Sequence, residues 1–413
     1  MVEKITASKV SSTAEFEHLE SWVRGQAQAF IQRVLEEEVT AFLGRVKSER
    51  RATGESPTGY RNGFGRVRRL AMMSGTVEVR RPRLRGLSER FESRVLPLFQ
   101  RRTKEVSEVL PELYLHGLAQ GDFELALRGL LGEAAPLSAS SIERLRGQWV
   151  AEYVAWSQRS LSQLEPVYLW ADGIYVKAGL EDSKACLLVI VAGLADGSKV
   201  VLAVDSGHRE SKESWARLLR DLLQRGMLQP RLVVADGHLG IWAALAEVLP
   251  QVEEQRCWNH KLTNVLDSLP KKLQARAKAE LSAIAAAPTE ADAVKLRDVF
   301  VRFWAKDHPK ATEALQRDWE RMVTFYRFPQ EHWKHLRTTN PVESPFAAVR
   351  LRTGAAKRYK KVANATALIW KVLMVAQSSF RKLNHPQLLP QVAAGAEYRD
   401  GVKIHKAEKR KVA

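Results

Sequence analysis

The chain has 413 residues, with 65 Lys+Arg against 47 Asp+Glu and a formal net charge of +18. That length allows two or three domains around a sizeable core, and only two cysteines, Cys186 and Cys257, exclude a disulfide framework or a four-cysteine zinc site. The charge excess points to a polyanionic partner, nucleic acid before an anionic membrane surface, while no apolar run reaches the roughly 20 residues of a membrane span and the first residues lack a signal-peptide core, so a soluble cytoplasmic protein is expected.

Apolar residues recur at spacings of three and four from Ala14 to Gly44, which predicts one or two amphipathic helices in an N-terminal helical region over 1–58. From Tyr60 to Arg90 nine arginines stand against two acids, Glu78 and Glu89, around the alternating "GTVEVRRPRLRG". This predicts a basic β-type element within 59–100, with Arg61, Arg66, Arg68 and Arg69 as candidate DNA contacts. Helical spacing returns over 101–163, where two short helices join through Gly132 to Pro136 and Ser138 or Ser140 can cap the second, with Glu143 in its first turn. The arrangement resembles a helix-turn-helix that would carry Arg144 and Arg146 to a groove. A plain helical hairpin with surface arginines is the alternative.

From Pro166 the pattern is strand-rich. "PVYLWADGIYVKAG" and "ACLLVIVAGLADGSKVVLAVDSG" precede a helix over Ser211–Arg225, the strand "RLVVAD", a helix over Leu239–Val248 and a short strand near "VEEQRCW". Strands followed by strand-helix alternation predict an α/β domain with a mixed sheet, here over 164–258. Strand patterns then vanish: 259–335 reads as an all-α insertion, 336–385 as a second part of the same core, and 386–413 as a basic tail.

The triplet Ala-Asp-Gly occurs at 171–173, 195–197 and 235–237. Asp196-Gly197 lies between two apolar runs and reads as the turn of a β-hairpin. Asp172 and Asp236 each follow an apolar strand pattern, and strand ends in α/β folds are where side chains meet ligands. Alone, either is as well explained by a turn. Together, in so basic a chain, they suggest a divalent-cation site, and hard oxygen ligands suit Mg²⁺. Glu343, in "TTNPVESPFAAVRLRT", follows a proline suited to a helix start, with Arg350 and Arg352 about two turns on. It reads as a surface ion-pair partner or as a third metal ligand beside a phosphate clamp.

"WADGIYVKAG", "VVADGHLGIWAAL", "CWNHK" and "TTNPVESPFAAVRLRT", in this order, resemble the bacterial Mutator-type insertion-sequence transposases. "GYRNGFGRVRRLAMMSGTVEVRRPRLRG" and "LYLHGLAQGDFELALRGLLGEAAPLSASSIERL" extend the resemblance to roughly 56–373. It implies a DDE enzyme with a ribonuclease-H-like mixed sheet flanked by helices, an all-α insertion and a mainly helical N-terminal DNA-binding region. It implies Asp172, Asp236 and Glu343 as the catalytic, metal-binding triad. The aspartates stand 64 residues apart and the glutamate 107 further on, which leaves room for the insertion. Many members carry Arg directly after the glutamate; here Ser344 stands there, with Pro345 behind it.

Cys257 and His260 match a place where the family carries Cys or Asp, two residues, then His. A supporting role, a direct functional contact and zinc are the readings, and zinc lacks its usual four ligands. Asn340 is a further supporting candidate. Trp304, Trp319 and Trp333 read as helix-packing residues, or as one that stacks on a base. Between Ser344 and Ala396 nine Lys/Arg and no acid occur; Arg350, Arg352, Lys357, Arg358, Lys360 and Lys361 among them suit a strand-tracking surface.

The function expected is strand cleavage at the element's terminal inverted repeats and joining of the 3′-hydroxyl to target DNA. Two Mg²⁺ ions about 4 Å apart would serve it, with Mn²⁺ able to substitute. A homodimer on DNA is expected because two ends are paired, with no membrane and no small-molecule substrate, in a bacterial, nucleoid-associated setting. The competing readings are an inactive, sequence-specific DNA-binding descendant and a ribonuclease-H-like nuclease or resolvase.

Overall fold

The computed structural model describes residues 12–49, 59–118, 122–131, 139–178, 184–207, 209–356 and 359–404. They form two compact units, Met1–Leu145 and Arg146–Ala413.

In the first unit a single long helix, α1 (Ser12–Leu43), precedes an antiparallel hairpin of β1 (Tyr60–Met72) and β2 (Gly75–Arg85). Leu35 of α1 closes a small core with Leu70, Val77, Val79 and Leu96. α1 also covers the free edge of β2: Gln32 donates to the Arg80 carbonyl at 3.0 Å and accepts from its amide at 2.9 Å, and Gln28 accepts from the Glu78 amide. Side-chain amides thus stand in for a third strand on an edge that would otherwise invite pairing. The helices α2 (Lys104–Leu115) and α3 (Phe123–Leu131) follow. The turn expected through Gly132 to Pro136, with Ser138, lies outside the described residues, and α4 (Ala139–Ser157) carries the division between the units.

The second unit is built on a five-stranded mixed sheet. β3 (Pro166–Lys177), β4 (Lys184–Leu194) and β5 (Lys199–Gly207) are antiparallel; β6 (Leu232–Ala235) and β7 (Glu253–Arg256) run parallel to β3, in the order β5-β4-β3-β6-β7. "CLLVIVAGL" and "LVVA" are buried along their whole length, as apolar runs are in sheets covered on both faces. On one face α5 (Lys212–Gln224) and α6 (Leu239–Val248) bury Trp215, Leu219, Ile241 and Leu245 against Leu169, Leu188 and Ile190, each worth about 1.5–3 kcal/mol of burial. On β3, Tyr168 bonds His332 Nδ1 at 2.8 Å and Trp170 donates to the His335 carbonyl at 2.9 Å.

The strand-free stretch after β7 is helical as expected: α7 (Trp258–Leu266), α8 (Lys271–Ala286), α9 (Glu290–Trp304), α10 (Pro309–Gln316), α11 (Trp319–Met322) and α12 (Trp333–Leu336). Trp304, Trp319 and Trp333 are buried, with indole donors to Glu280 for Trp304 and to the Phe328 carbonyl for Trp333. They are packing residues, and none presents a face for stacking on a base. Then come α13 (Asn340–Glu343), α14 (Phe346–Gly354) and α15 (Val362–Gln377).

Residues 386–404, expected within a basic tail, are folded: α16 (Leu389–Ala393) and a hairpin of β8 (Tyr398–Arg399) and β9 (Val402–Lys403) bury Leu389, Val392 and Tyr398. Those three apolar anchors outweigh the local polarity. No helix among the described residues is long and apolar enough to cross a membrane.

Candidate active site

Asp172 does not end its strand. β3 runs on to Lys177, with Asp172 opposite Val189 of β4, because "GIYVK" keeps the alternation of a strand. What ends at this level is the parallel ladder: Ala171 opposite Ala235 is the last β3–β6 pair. Asp172, still on β3, and Asp236, just past the end of β6, are therefore each the first residue beyond it. Asp172 is 8 % exposed and accepts the Gly173 amide at 2.8 Å. Burial first, and then the nearby Asp236 carboxylate, push its carboxyl up to about 7.

Asp236 is half-buried and accepts the His238 amide at 2.8 Å, at the N-terminus of α6. Between them Gly237 has φ +100°, and a Cβ there would stand 2.2 Å from Arg256 Nε. Only glycine serves both demands. The third triplet member behaves differently: Asp196 accepts from the Ser198 amide and hydroxyl, and Gly197 supplies φ +84°, so this aspartate shapes the β4–β5 hairpin.

Glu343 ends the one-turn helix α13, and Pro345 separates it from the arginines of α14. The single helix expected from Pro341 through Arg352 is thus broken. Thr339 Oγ1 donates to Glu343 Oε1, the Thr339 amide donates to Cys257 Sγ at 3.3 Å, and His260 Nδ1 lies 3.8 Å from Glu343 Oε1. Cys257, at the start of α7, is fully buried, and its ligand atom lies within 4.8 Å of those of His260 and Glu343. Its hydrogen bond with His260, helped by the charges of Glu343 and Asp172, holds the imidazole up at about 9 against its burial. Asn340 accepts from Asn259 at 3.0 Å, joining α13 to α7. The cluster offers three donors where structural zinc takes four.

A fourth carboxylate is not legible as a site residue in the sequence. Glu210 is 5 % exposed, and burial, then Asp236, raise its carboxyl above the usual range. A Cβ on Gly173 would stand 2.6 Å from Glu210 Oε1, and one on Gly240 2.1 Å from the Glu210 carbonyl. Glu210 is therefore wedged between the segments that carry the two aspartates. Its only sequence signal, an acid just before the Ser211 cap of α5, looks like ordinary helix-start chemistry.

The expected DNA contacts divide. Arg66, Arg69, Arg144, Arg350, Lys360 and Lys361 are exposed, Arg69 within 3.2 Å of Glu78. Arg61 instead turns inward to Glu36 and Thr40, at 2.8 and 2.7 Å, and Arg68 donates to the carbonyls of Pro97 and Gln100. Arg146 is half-buried and Arg352 is 2 % exposed. Residues two apart on a helix differ by about 200°, so Arg350 and Arg352 could not share one surface. Lys357 and Arg358 lie outside the described residues.

A family model described as "Transposase, Mutator family" matches residues 2–382. The chain is 46% identical over 296 residues to a transposase for insertion sequence element IS6120 of Mycolicibacterium smegmatis, which covers 72% of this chain and 92% of the relative. It is 41% identical over 279 residues to the transposase for IST2 of Acidithiobacillus ferrooxidans, covering 67% and 94%. It is 31% identical over 367 residues to that for ISRM5 of Rhizobium meliloti, covering 88% and 89%.

Proposed function

The chain belongs to the Mutator family of transposases, and on that premise we propose that Asp172, Asp236 and Glu343 are its catalytic acids, cutting DNA at the ends of an insertion sequence and joining the freed 3′-hydroxyl to target DNA. The observation that carries the reading is electrostatic. Burial first, then the Asp236 carboxylate and more weakly that of Glu343, raise the Asp172 carboxyl, which supports a common site for three acids far apart in sequence. The sheet order, three antiparallel strands continued by two parallel ones, supports a ribonuclease-H-like core.

The donor set fits Mg²⁺: oxygen-rich, with Asp172 raised first by its burial and then by the neighbouring Asp236 charge, which a divalent cation would offset. Asp172, Asp236 and Glu343 would hold two such ions, which when bound lower the pKa of a nucleophile and stabilise the leaving oxygen. The residues' own share is positional. The Thr339 hydroxyl and the His260 imidazolium orient Glu343, and the amides of Gly173 and His238 fix the two aspartates. DNA end recognition by the exposed arginines, a homodimer on paired ends and action in a bacterial cytoplasm complete the reading.

The test is strand transfer with purified protein, a labelled duplex from the DNA bracketing its gene, a plasmid target and Mg²⁺ or EDTA. Metal-dependent joining at the repeat boundary is expected, and Glu343→Gln should abolish it while end binding persists. Normal joining by that variant would remove Glu343 from the chemistry.

A further inference from the structure

Beside the Glu343 helix lies a pocket of about 540 Å³ that none of the roles above uses. Lys199 at the start of β5, Lys334 and His335 on α12, and Phe380 and Arg381 just after α15 line it. No carboxylate lines it, although the chain as a whole carries 47 acids. Nor does any carboxylate among the described residues pair with Lys199, Lys334 or Arg381. A solvated face normally mixes signs, so three unpaired cations around one concavity form a site for an anion.

His335 adds polarity of a definite kind. Its Nε2 accepts the Asn384 amide at 3.2 Å, which leaves Nδ1 as the nitrogen able to donate, and burial lowers its pKa. The volume falls within the roughly 300–1,000 Å³ of small-ligand sites and is too small for a duplex. Asn340, Pro341 and Ser344 also line the pocket, on both sides of Glu343 in sequence. The pocket therefore borders the short helix that carries Glu343, although Glu343 itself does not line it.

We propose that this pocket holds one nucleotide of a separated DNA strand next to the cleaved bond, with Lys334, Arg381 and Lys199 on its phosphates and Phe380 against its base. The inference rests on the transposase reading for the identity of the strand, but the pocket's affinity is measurable without catalysis. Phosphate contacts give affinity without sequence preference, and a base stacked on an aromatic ring is held whatever its identity.

The experiment is equilibrium binding of a fluorescein-labelled oligothymidylate to the full chain, in EDTA, across a series of KCl concentrations. Lys334→Ala/Arg381→Ala should weaken binding and lower the slope of log K against log salt by about 1.4, because each single-strand phosphate that a cation no longer neutralises removes ~0.7. Phe380→Ala should weaken it on the order of tenfold without changing the slope. Lys271→Ala/Lys272→Ala removes two exposed charges from α8, away from the pocket, and serves as the charge-matched control. Pocket variants that behave like this control would overturn the proposal. Repeating the measurement with 2-aminopurine at the element's end, or in the target strand, distinguishes the two sources: fluorescence that responds to Phe380→Ala in one of them names the strand, and a response in neither overturns the proposal. A wild-type chain that binds in this way yet never cuts or joins DNA would instead remove the transposase chemistry and leave the pocket standing.

Discussion

Two buried side chains decide how the carboxylates behave. The Thr339 hydroxyl touches Glu343 and also Cys257 Sγ, the latter at 3.2 Å, and Thr339 itself is fully buried. Thr339→Val keeps the shape and removes the donor. Because outer partners of metal-binding groups commonly matter 10- to 100-fold, single-turnover cleavage should fall by about that factor while repeat binding stays within twofold; unchanged cleavage would make Thr339 a packing residue only. Asp172 is the second. Its pKa is raised in the fold from 3.8 to about 7, so the folded chain retains a proton that the unfolded chain releases between those values, and stability falls through this group as pH rises from about 4 to about 7. In EDTA, Asp172→Asn should match wild type near pH 4 and exceed it at pH 8 by an amount on the order of 2–4 kcal/mol, read from denaturant melts at both values. A gap that narrowed with pH would reverse the sign assigned to the group.

At the scale of elements, close approach overrules propensity. Gly240 lies in the first turn of α6, where alanine is ordinarily better by about 1 kcal/mol, yet its Cβ would meet the backbone of Glu210 and Ser211 at 2.1 and 2.9 Å. Gly240→Ala should therefore lower the melting temperature, and a rise would mean that the α5–α6 packing yields freely. No such constraint is legible in the sequence, since it joins residues 30 positions apart. The strands, α5 and α6 were legible because apolar runs and a capping serine act locally: Ser211 accepts the Ser214 amide, and α6 spans Leu239–Val248 as expected. The broken helix at Glu343 was not, although Pro345 stood in view, because α13 and α14 are held by tertiary packing rather than by their own periodicity. Glu210 was hidden for the same reason, and the fold of residues 386–404 because three anchors are few against a polar background.

For the whole molecule the net charge of +18 sets the long-range behaviour. Affinity for any duplex should fall steeply as KCl rises from 50 to 200 mM, following release of counterions from the phosphates; a flat dependence, measured by anisotropy, would place the excess charge away from the binding surface. The same molecule has two native thiols, Cys186 on β4 and Cys257 beside His260, both at most 1 % exposed. A reagent such as a disulfide dye can reach neither until the protein around it opens, so the rates of labelling are two built-in clocks, one in the heart of the sheet and one at the hinge between β7 and α7. Slower labelling of Cys257 on addition of divalent cation, with Cys186 unchanged, would time the tightening of the acid cluster without any introduced probe.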